Sequence, residues 1–203
     1  MQEKEETTVA GTSQTQKKSE VSRLTGRRIA FMALFVALSY VVSRFEFPIF
    51  PAAGFLKLDF GNVFILLISF LLGPIEGLLV CVMKESLRMI GTTSGGVGEL
   101  ANMLVTAVYI ALPAIVYEFK KGFKTVVACL IGACFIGTAA ALLANRFIMF
   151  PLYEEFLGMS AAEGFALLWW AILAFNLIKT AAVGVLTLLL YKRLSVFLKK
   201  MKI

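Results

Sequence analysis

The sequence has no histidine among its 203 residues. That excludes imidazole-ligated metal sites, histidine-held haem and histidine acid–base chemistry. Cysteine is scarce. Cys81, Cys129 and Cys134 all lie inside apolar runs, where a disulfide framework would put them in exposed loops, so they read as small core residues. Charge is also sparse, at 16% of residues against 59% hydrophobic, which places the chain outside the soluble class. An integral membrane protein is predicted. The net charge of +7 does not indicate nucleic acid, because the basic residues cluster at the ends of apolar runs, in the positive-inside pattern. There is no paired-carboxylate site, no nucleophile beside a base and no nucleotide-binding loop. An enzyme is therefore not predicted, no cofactor is implied, and any ATP-driven process would need partner chains.

What the sequence does contain is a set of long apolar runs, of which the last, Gly164 to Leu190, is the most informative. It is long enough to cross a bilayer and carries Asn176 and Lys179 near its middle. A lysine at mid-membrane depth costs at least about 2.5–3.5 kcal/mol on insertion scales. Residues three apart share a helix face, so Asn176 and Lys179 should look together into a protein-lined cavity.

The rest of the chain supports a six-span, all-α membrane protein. Residues 1–25 are polar and without apolar periodicity, and read as a disordered cytoplasmic tail; residues 26–203 read as one six-helix transmembrane substrate-binding domain. The first helix is expected from about Arg27 to Ser43, behind Arg23, Arg27 and Arg28. Its Ala33 and Ala37 form a small-xxx-small pair that lets another helix approach closely. Arg44 to Asp59 carries Pro48 and Pro51, is too broken to span and too apolar for a solvated linker, and is expected to fold over the outer mouth as a lid. Phe60–Leu72 and Ile75–Ile90 read as two helices joined at Gly73-Pro74. Lys84, Glu85 and Arg88 on the second read as an ion-paired, snorkelling helix end. Gly91 to Glu99, GTTSGGVGE, leaves the backbone free for close approach to a ligand but lacks phosphate-loop spacing. Leu100–Phe119 and Phe123–Phe147 are the fourth and fifth spans, and Met149 to Glu163 is an outer connection. Basic residues in the tail, at Lys120 to Lys124 and beyond Lys192 predict that both termini are cytoplasmic. The ligand side is then extracellular.

The polar candidates for the cavity are Asn145, Asn176 and Lys179, with Thr92, Ser94, Gly95, Glu99 and Asn102 from the glycine-rich turn and Lys57 and Asp59 from the lid. Two amides and a cation among aromatic residues suit a flat heterocycle with mixed ring carbonyls and nitrogens. Each asparagine could instead serve an interhelical hydrogen bond, and Lys179 could pair with a carboxylate such as Glu99. An ion-coupled secondary transporter using Lys179 and Glu99 is the rival from a different class.

Four blocks of residues carry a family resemblance: Phe50-Pro51-Ala52-Ala53 leading into Leu56-Lys57-Leu58-Asp59-Phe60; Gly95-Gly96-Val97-Gly98-Glu99-Leu100-Ala101-Asn102; NRFIMFPLY from Asn145 to Tyr153; and Asn176-Leu177-Ile178-Lys179. With these, the chain from Arg28 to Leu190 resembles the riboflavin-specific S components of energy-coupling-factor (ECF) vitamin transporters. It departs from that pattern at Gly54 and at Gly61-Asn62, where Ser-Asp is expected. The resemblance implies a six-helix S-component bundle in the cell membrane with an extracellular lid loop, capturing riboflavin from outside. Asn145, Asn176 and Lys179 would hold the isoalloxazine ring, and Leu56, Lys57, Thr93, Ser94, Gly95, Gly96, Glu99 and Asn102 would approach the ligand. Ala33 and Ala37 would pack on a transmembrane coupling subunit that joins two cytoplasmic ATPases. An S component for another vitamin or flavin derivative (FMN, thiamin, biotin) is the alternative within the class.

Overall fold

Glycine and proline decide where the helices of this protein break. The computed structural model describes residues 26–92, 94–158 and 160–200; the expected tail of residues 1–25, and Thr93, lie outside the described residues. The chain divides into two compact units at Leu34. Of the first, the described part is the opening half of helix α1 (Gly26–Ser43), and the second, from Phe35, holds all later elements.

After α1 the chain forms a minimal antiparallel hairpin rather than the irregular segment expected. Strand β1 (Phe47–Pro48) pairs with β2 (Lys57–Leu58), with Phe47 opposite Leu58, around a short 3-10 turn at Pro51–Ala53. Pro48 has no backbone donor, which limits the ladder to its edge. Helix α2 (Asn62–Leu72) ends at Gly73, whose φ of 129° is open to glycine but strained for other residues. Pro74 then opens α3 (Pro74–Met89), in the first turn where its missing N–H is no loss. The two helices touch closely: a Cβ added at Gly77 would lie 1.8 Å from Ser69 Oγ and 2.8 Å from its Cβ. Gly95 and Gly96 adopt left-handed backbone (φ 66° and 89°) and start α4 (Val97–Phe119).

Helix α5 (Phe123–Ala144) runs through a π-helical turn, Asn145–Met149, into α6 (Phe150–Leu157). The helix thus runs past the expected end of the fifth span at Phe147 and into the segment expected as an outer connection. Pro151 does not interrupt the helix, because it falls in the first turn of α6, where its missing N–H is no loss. Helix α7 (Ala161–Lys200) follows Gly158.

Among the described residues, four helices are long and apolar enough to cross a membrane: Gly26–Ser43, Val97–Phe119, Phe123–Glu155 and Ala161–Arg193. Helices α2 and α3, of 11 and 16 residues, fall short of the roughly 20 residues that a bilayer core requires. They pack on each other and on α4, while α4 packs on α5 and α5 on α7. Large apolar side chains face outward, among them Leu79 and Met83 on α3, Phe135 and Leu143 on α5 and Trp169 on α7. In hydrocarbon that surface needs no cover, and association rests on close packing and interhelical hydrogen bonds. Tyr109 makes one such joint, packing against Gly137 of α5 and donating its hydroxyl to the Thr180 carbonyl of α7 at 2.9 Å. At the other end the hairpin is stapled down by Ala53, Leu56 and Leu58, which pack with Phe150, Leu168, Ile172 and Phe175.

Because Gly77 leaves no room for a methyl group, Gly77→Ala should push α2 and α3 apart and cost about 1–3 kcal/mol. Thermal unfolding of the detergent-solubilised protein measures this; an unchanged Tm would contradict the close α2–α3 contact.

Candidate functional site

Asp59, just after β2, is 2% exposed and gathers three cations. Its Oδ2 accepts from Lys179 Nζ on α7 at 2.9 Å. Lys84 Nζ on α3 lies 3.7 Å from Oδ1, and Arg88 Nη1 lies 3.9 Å from Oδ2. The Gly61 amide donates to Oδ1 at 3.0 Å, and Gly61 has no side chain because a Cβ there would sit 2.5 Å from the Ser39 carbonyl oxygen of α1. Thus one carboxylate ties the hairpin to α3 and α7.

Lys84 and Glu85 are fully buried, which corrects the snorkelling helix end expected from sequence. Gly77, Val80, Cys81, Lys84 and Glu85 are the buried residues of α3, and they follow one helical stripe. That stripe was the available signal: the polar pair continues the buried face, whereas Leu78, Leu79, Val82 and Met83 are exposed. Lys84 donates to Glu85 and, at 3.2 Å, to Asn62 Oδ1. Asn62 Nδ2 donates to Thr106 Oγ1 at 2.7 Å and to Asn102 Oδ1 at 3.3 Å. Asn102 Nδ2 in turn donates to Glu85, and Asn102 Oδ1 accepts from Lys179 at 2.9 Å. The network satisfies most of these buried polar atoms; Glu85 Oε2 and Arg88 Nε, 3.9 Å apart, make no hydrogen bond among the described residues.

This network floors a cavity of about 390 Å³, within the range of roughly 300–1,000 Å³ of small-molecule sites. Its walls come from the hairpin (Leu56, Lys57), α4 (Glu99, Asn102), the π-turn and α6 (Asn145, Phe150), and α7 (Phe175, Asn176). The π-turn turns both Asn145 and Met149 inward, at 6% and 1% exposure; such turns are frequent at functional sites. Asn145 and Asn176 each donate one amide N–H to the carbonyl four residues back on their own helix, Ala141 and Ile172, at 2.8 Å. The carbonyl oxygen and second N–H of each amide lie outside those bonds. Lys179 has three donors and gives two, to Asp59 and Asn102.

Of the sequence-predicted residues, Leu56, Lys57, Ser94, Glu99, Asn102, Asn145, Asn176 and Lys179 line this cavity. Gly95 and Gly96 are not among the lining residues and instead form the left-handed entry to α4. Lys179 pairs with Asp59 and not with Glu99, whose Oε2 accepts from Thr92 Oγ1 at 2.8 Å and Ser94 Oγ at 3.0 Å. Asn62, Arg88, Thr106 and Tyr109 also line the cavity and were not singled out as ligand contacts from sequence. At the hairpin edge Glu46 pairs with Lys57 at 2.9 Å and with Arg88. Burial alone would push the Glu46 carboxyl up, but the hydrogen bonds from Lys57 and Arg88 outweigh it and hold it below the usual carboxylate range. The latch is therefore ionised at neutral pH and is lost only as pH falls through that lowered value.

The sequence model described as ECF transporter, substrate-specific component, matches residues 27–191. The chain belongs to this family. The S component is 29% identical over 176 residues to the riboflavin transporter RibU of Staphylococcus aureus (strain TCH60), covering 86% of this chain and 93% of that one. It is 25% identical over 186 residues to the riboflavin transporter FmnP of Bacillus subtilis (strain 168), covering 87% and 96%. A solved structure described as the S component of a bacterial ECF transporter superposes with a TM-score of 0.74 at 29% identity, covering 86% of this chain and 99% of that one. The S component is accordingly a multi-pass membrane protein and a transporter subunit rather than an enzyme.

Asp59→Ala leaves Lys179, Lys84 and Arg88 to share the remaining carboxylates. Removing one partner of a buried ion pair costs about 3–5 kcal/mol, so the variant should unfold at a clearly lower temperature. An Asp59→Ala protein with wild-type Tm would mean that the three cations find other partners.

Proposed function

We propose that this S component captures riboflavin from the extracellular side for an ATP-driven ECF importer. The observation that carries the reading is the unspent hydrogen-bonding capacity around one cavity: one N–H of Lys179, and the carbonyl oxygen and second N–H of each amide of Asn145 and Asn176. A flat ring edge alternating carbonyl oxygens and N–H groups takes up both kinds of valence at once. Phe55, Phe150, Tyr153 and Phe175 supply apolar walls for the remainder of the ring system. The names of the relatives, riboflavin transporters in each case, support the same substrate. An ion-coupled mechanism through a Lys179–Glu99 pair is disfavoured by the separate partners of those two side chains.

In this reading the β1–β2 hairpin is the lid. It is held by Asp59 below and by Glu46 at its edge, and it opens to admit the vitamin. The ligand contacts are Leu56, Lys57, Ser94, Glu99, Asn102, Asn145, Asn176 and Lys179. The S component spans the cell membrane six times, with α2 and α3 as the two short crossings and both termini cytoplasmic. Nanomolar capture corresponds to about −12 kcal/mol, which a closed, dry site with satisfied hydrogen bonds can supply. Energy comes from a transmembrane coupling subunit and two cytoplasmic ATPases. Ala33 and Ala37, both exposed, offer that subunit a shallow helix face.

Lys179→Ala and Asn176→Ala should each weaken riboflavin binding by at least about 1 kcal/mol through lost hydrogen bonds in a buried site. Titration with quenching of flavin fluorescence reads this directly, and unchanged affinity in both variants would remove the assignment. Replacing Ala33 and Ala37 with phenylalanine should leave riboflavin binding intact while abolishing co-purification with the coupling subunit and cellular uptake. Lost binding with normal assembly would reverse the two roles.

A further inference from the structure

Two of the most deeply buried polar side chains in the protein, Lys84 and Glu85, are absent from the cavity wall. Nothing in vitamin capture as described above uses them. Buried charges at membrane depth are costly, and such residues call for an explanation. Their hydrogen bonds supply one.

A primary amide has a direction: its nitrogen donates and its oxygen accepts. Two amides, Asn62 and Asn102, lie between the buried pair and the cavity. Lys84 donates to Asn62 Oδ1 at 3.2 Å, so Asn62 must turn its Nδ2 the other way, toward Asn102 and Thr106. Glu85 Oε1 accepts from Asn102 Nδ2, so Asn102 must turn its oxygen toward Lys179, which donates to it at 2.9 Å. Reversing Asn102 would set its NH2 group against the Lys179 ammonium and the Asn62 NH2, and its oxygen against the Glu85 carboxylate. Every contact would then oppose like with like.

We propose that Lys84 and Glu85 are positioning residues for the ligand: acting through Asn62 and Asn102, they set the polarity of the cavity floor so that Lys179 keeps one N–H free for the bound molecule. Glu85 bears the larger share, because it directly accepts from the amide that touches Lys179, whereas Lys84 reaches that amide through Asn62. The arrangement has a visible cost. Glu85 Oε2 and Arg88 Nε are buried without a hydrogen-bond partner among the described residues, at 3.9 Å from each other. Buried polar atoms without a hydrogen bond call for an explanation, and a positioning role supplies one. The unpaired oxygen also means that one acceptor atom at position 85 is sufficient for the amide.

The inference rests on the riboflavin reading, and riboflavin is the probe. Three variants are measured by fluorescence titration, by the visible absorption bands of the bound flavin, and by Tm. Glu85→Met removes the acceptor at similar volume and should weaken binding at least tenfold, with the bound flavin bands moving toward those of free flavin. Glu85→Gln keeps an acceptor oxygen and should stay within about threefold of wild type. The double variant Lys84→Met/Glu85→Met removes both charges together, a change that buried pairs often tolerate, and keeps the test decisive if the single methionine variant does not fold. It too should lose at least tenfold. Wild-type affinity and spectrum in a folded methionine variant would overturn the proposal. So would a glutamine variant as weak as the methionine variants, or an affinity loss that follows Tm with unchanged flavin bands. A wild-type protein that binds no flavin would overturn the riboflavin reading and this inference with it, an outcome distinct from a wild type that binds and variants that bind equally well.

Discussion

The contact between Asp59 and Lys179 is the one on which the rest depends. It joins residues 120 positions apart and brings the hairpin, α3 and α7 to one point inside a predominantly apolar bundle. Neither charge could lie there alone, since an unpaired ion in a low-dielectric interior costs several kcal/mol. Paired, they anchor the hairpin over the cavity and leave the lysine with a spare donor. Stability and the proposed ligand recognition therefore draw on the same side chains.

Around that pair the protein solves a problem specific to membranes. Apolar burial does little to hold helices together in lipid, so the bundle uses close contacts at Gly77 and Gly137 and hydrogen bonds such as Tyr109 to Thr180. The same economy gives the cavity its form. The π-turn at Asn145–Met149 rotates the end of α5 so that one amide and one thioether enter the cavity wall. An uninterrupted α-helix would space these inward positions differently, because a π-turn inserts an extra residue without breaking the helix.

Many of the residues that line the cavity were legible in the sequence. Asn176 and Lys179 stand out because a polar face within an apolar run has few structural uses, and Asn145 and Asn102 carry the same signal. That the segment carrying Pro48 and Pro51 does not span was legible, although the pairing of Phe47 with Leu58 was not. The helical run through Pro151 was not legible either: proline is a breaker within a helix and harmless in its first turn, and which case holds depends on where the preceding turn ends. Lys84 and Glu85 were misread for a similar reason. At the end of a short helix, a charged pair looks like a solvated terminus until neighbouring helices close around it.

The sequence by itself determined the solvent this protein lives in, its helical character and the polar residues that lipid would not tolerate. Hydropathy and the period of a helix are properties of neighbouring residues, and need no knowledge of the fold. Only the tertiary structure decided that Lys179 meets Asp59 rather than Glu99, that Lys84 and Glu85 are interior, and which way the amides of Asn62 and Asn102 point. Those outcomes depend on which helices stand side by side and on the direction of each hydrogen bond between them, and no local pattern along the chain encodes either.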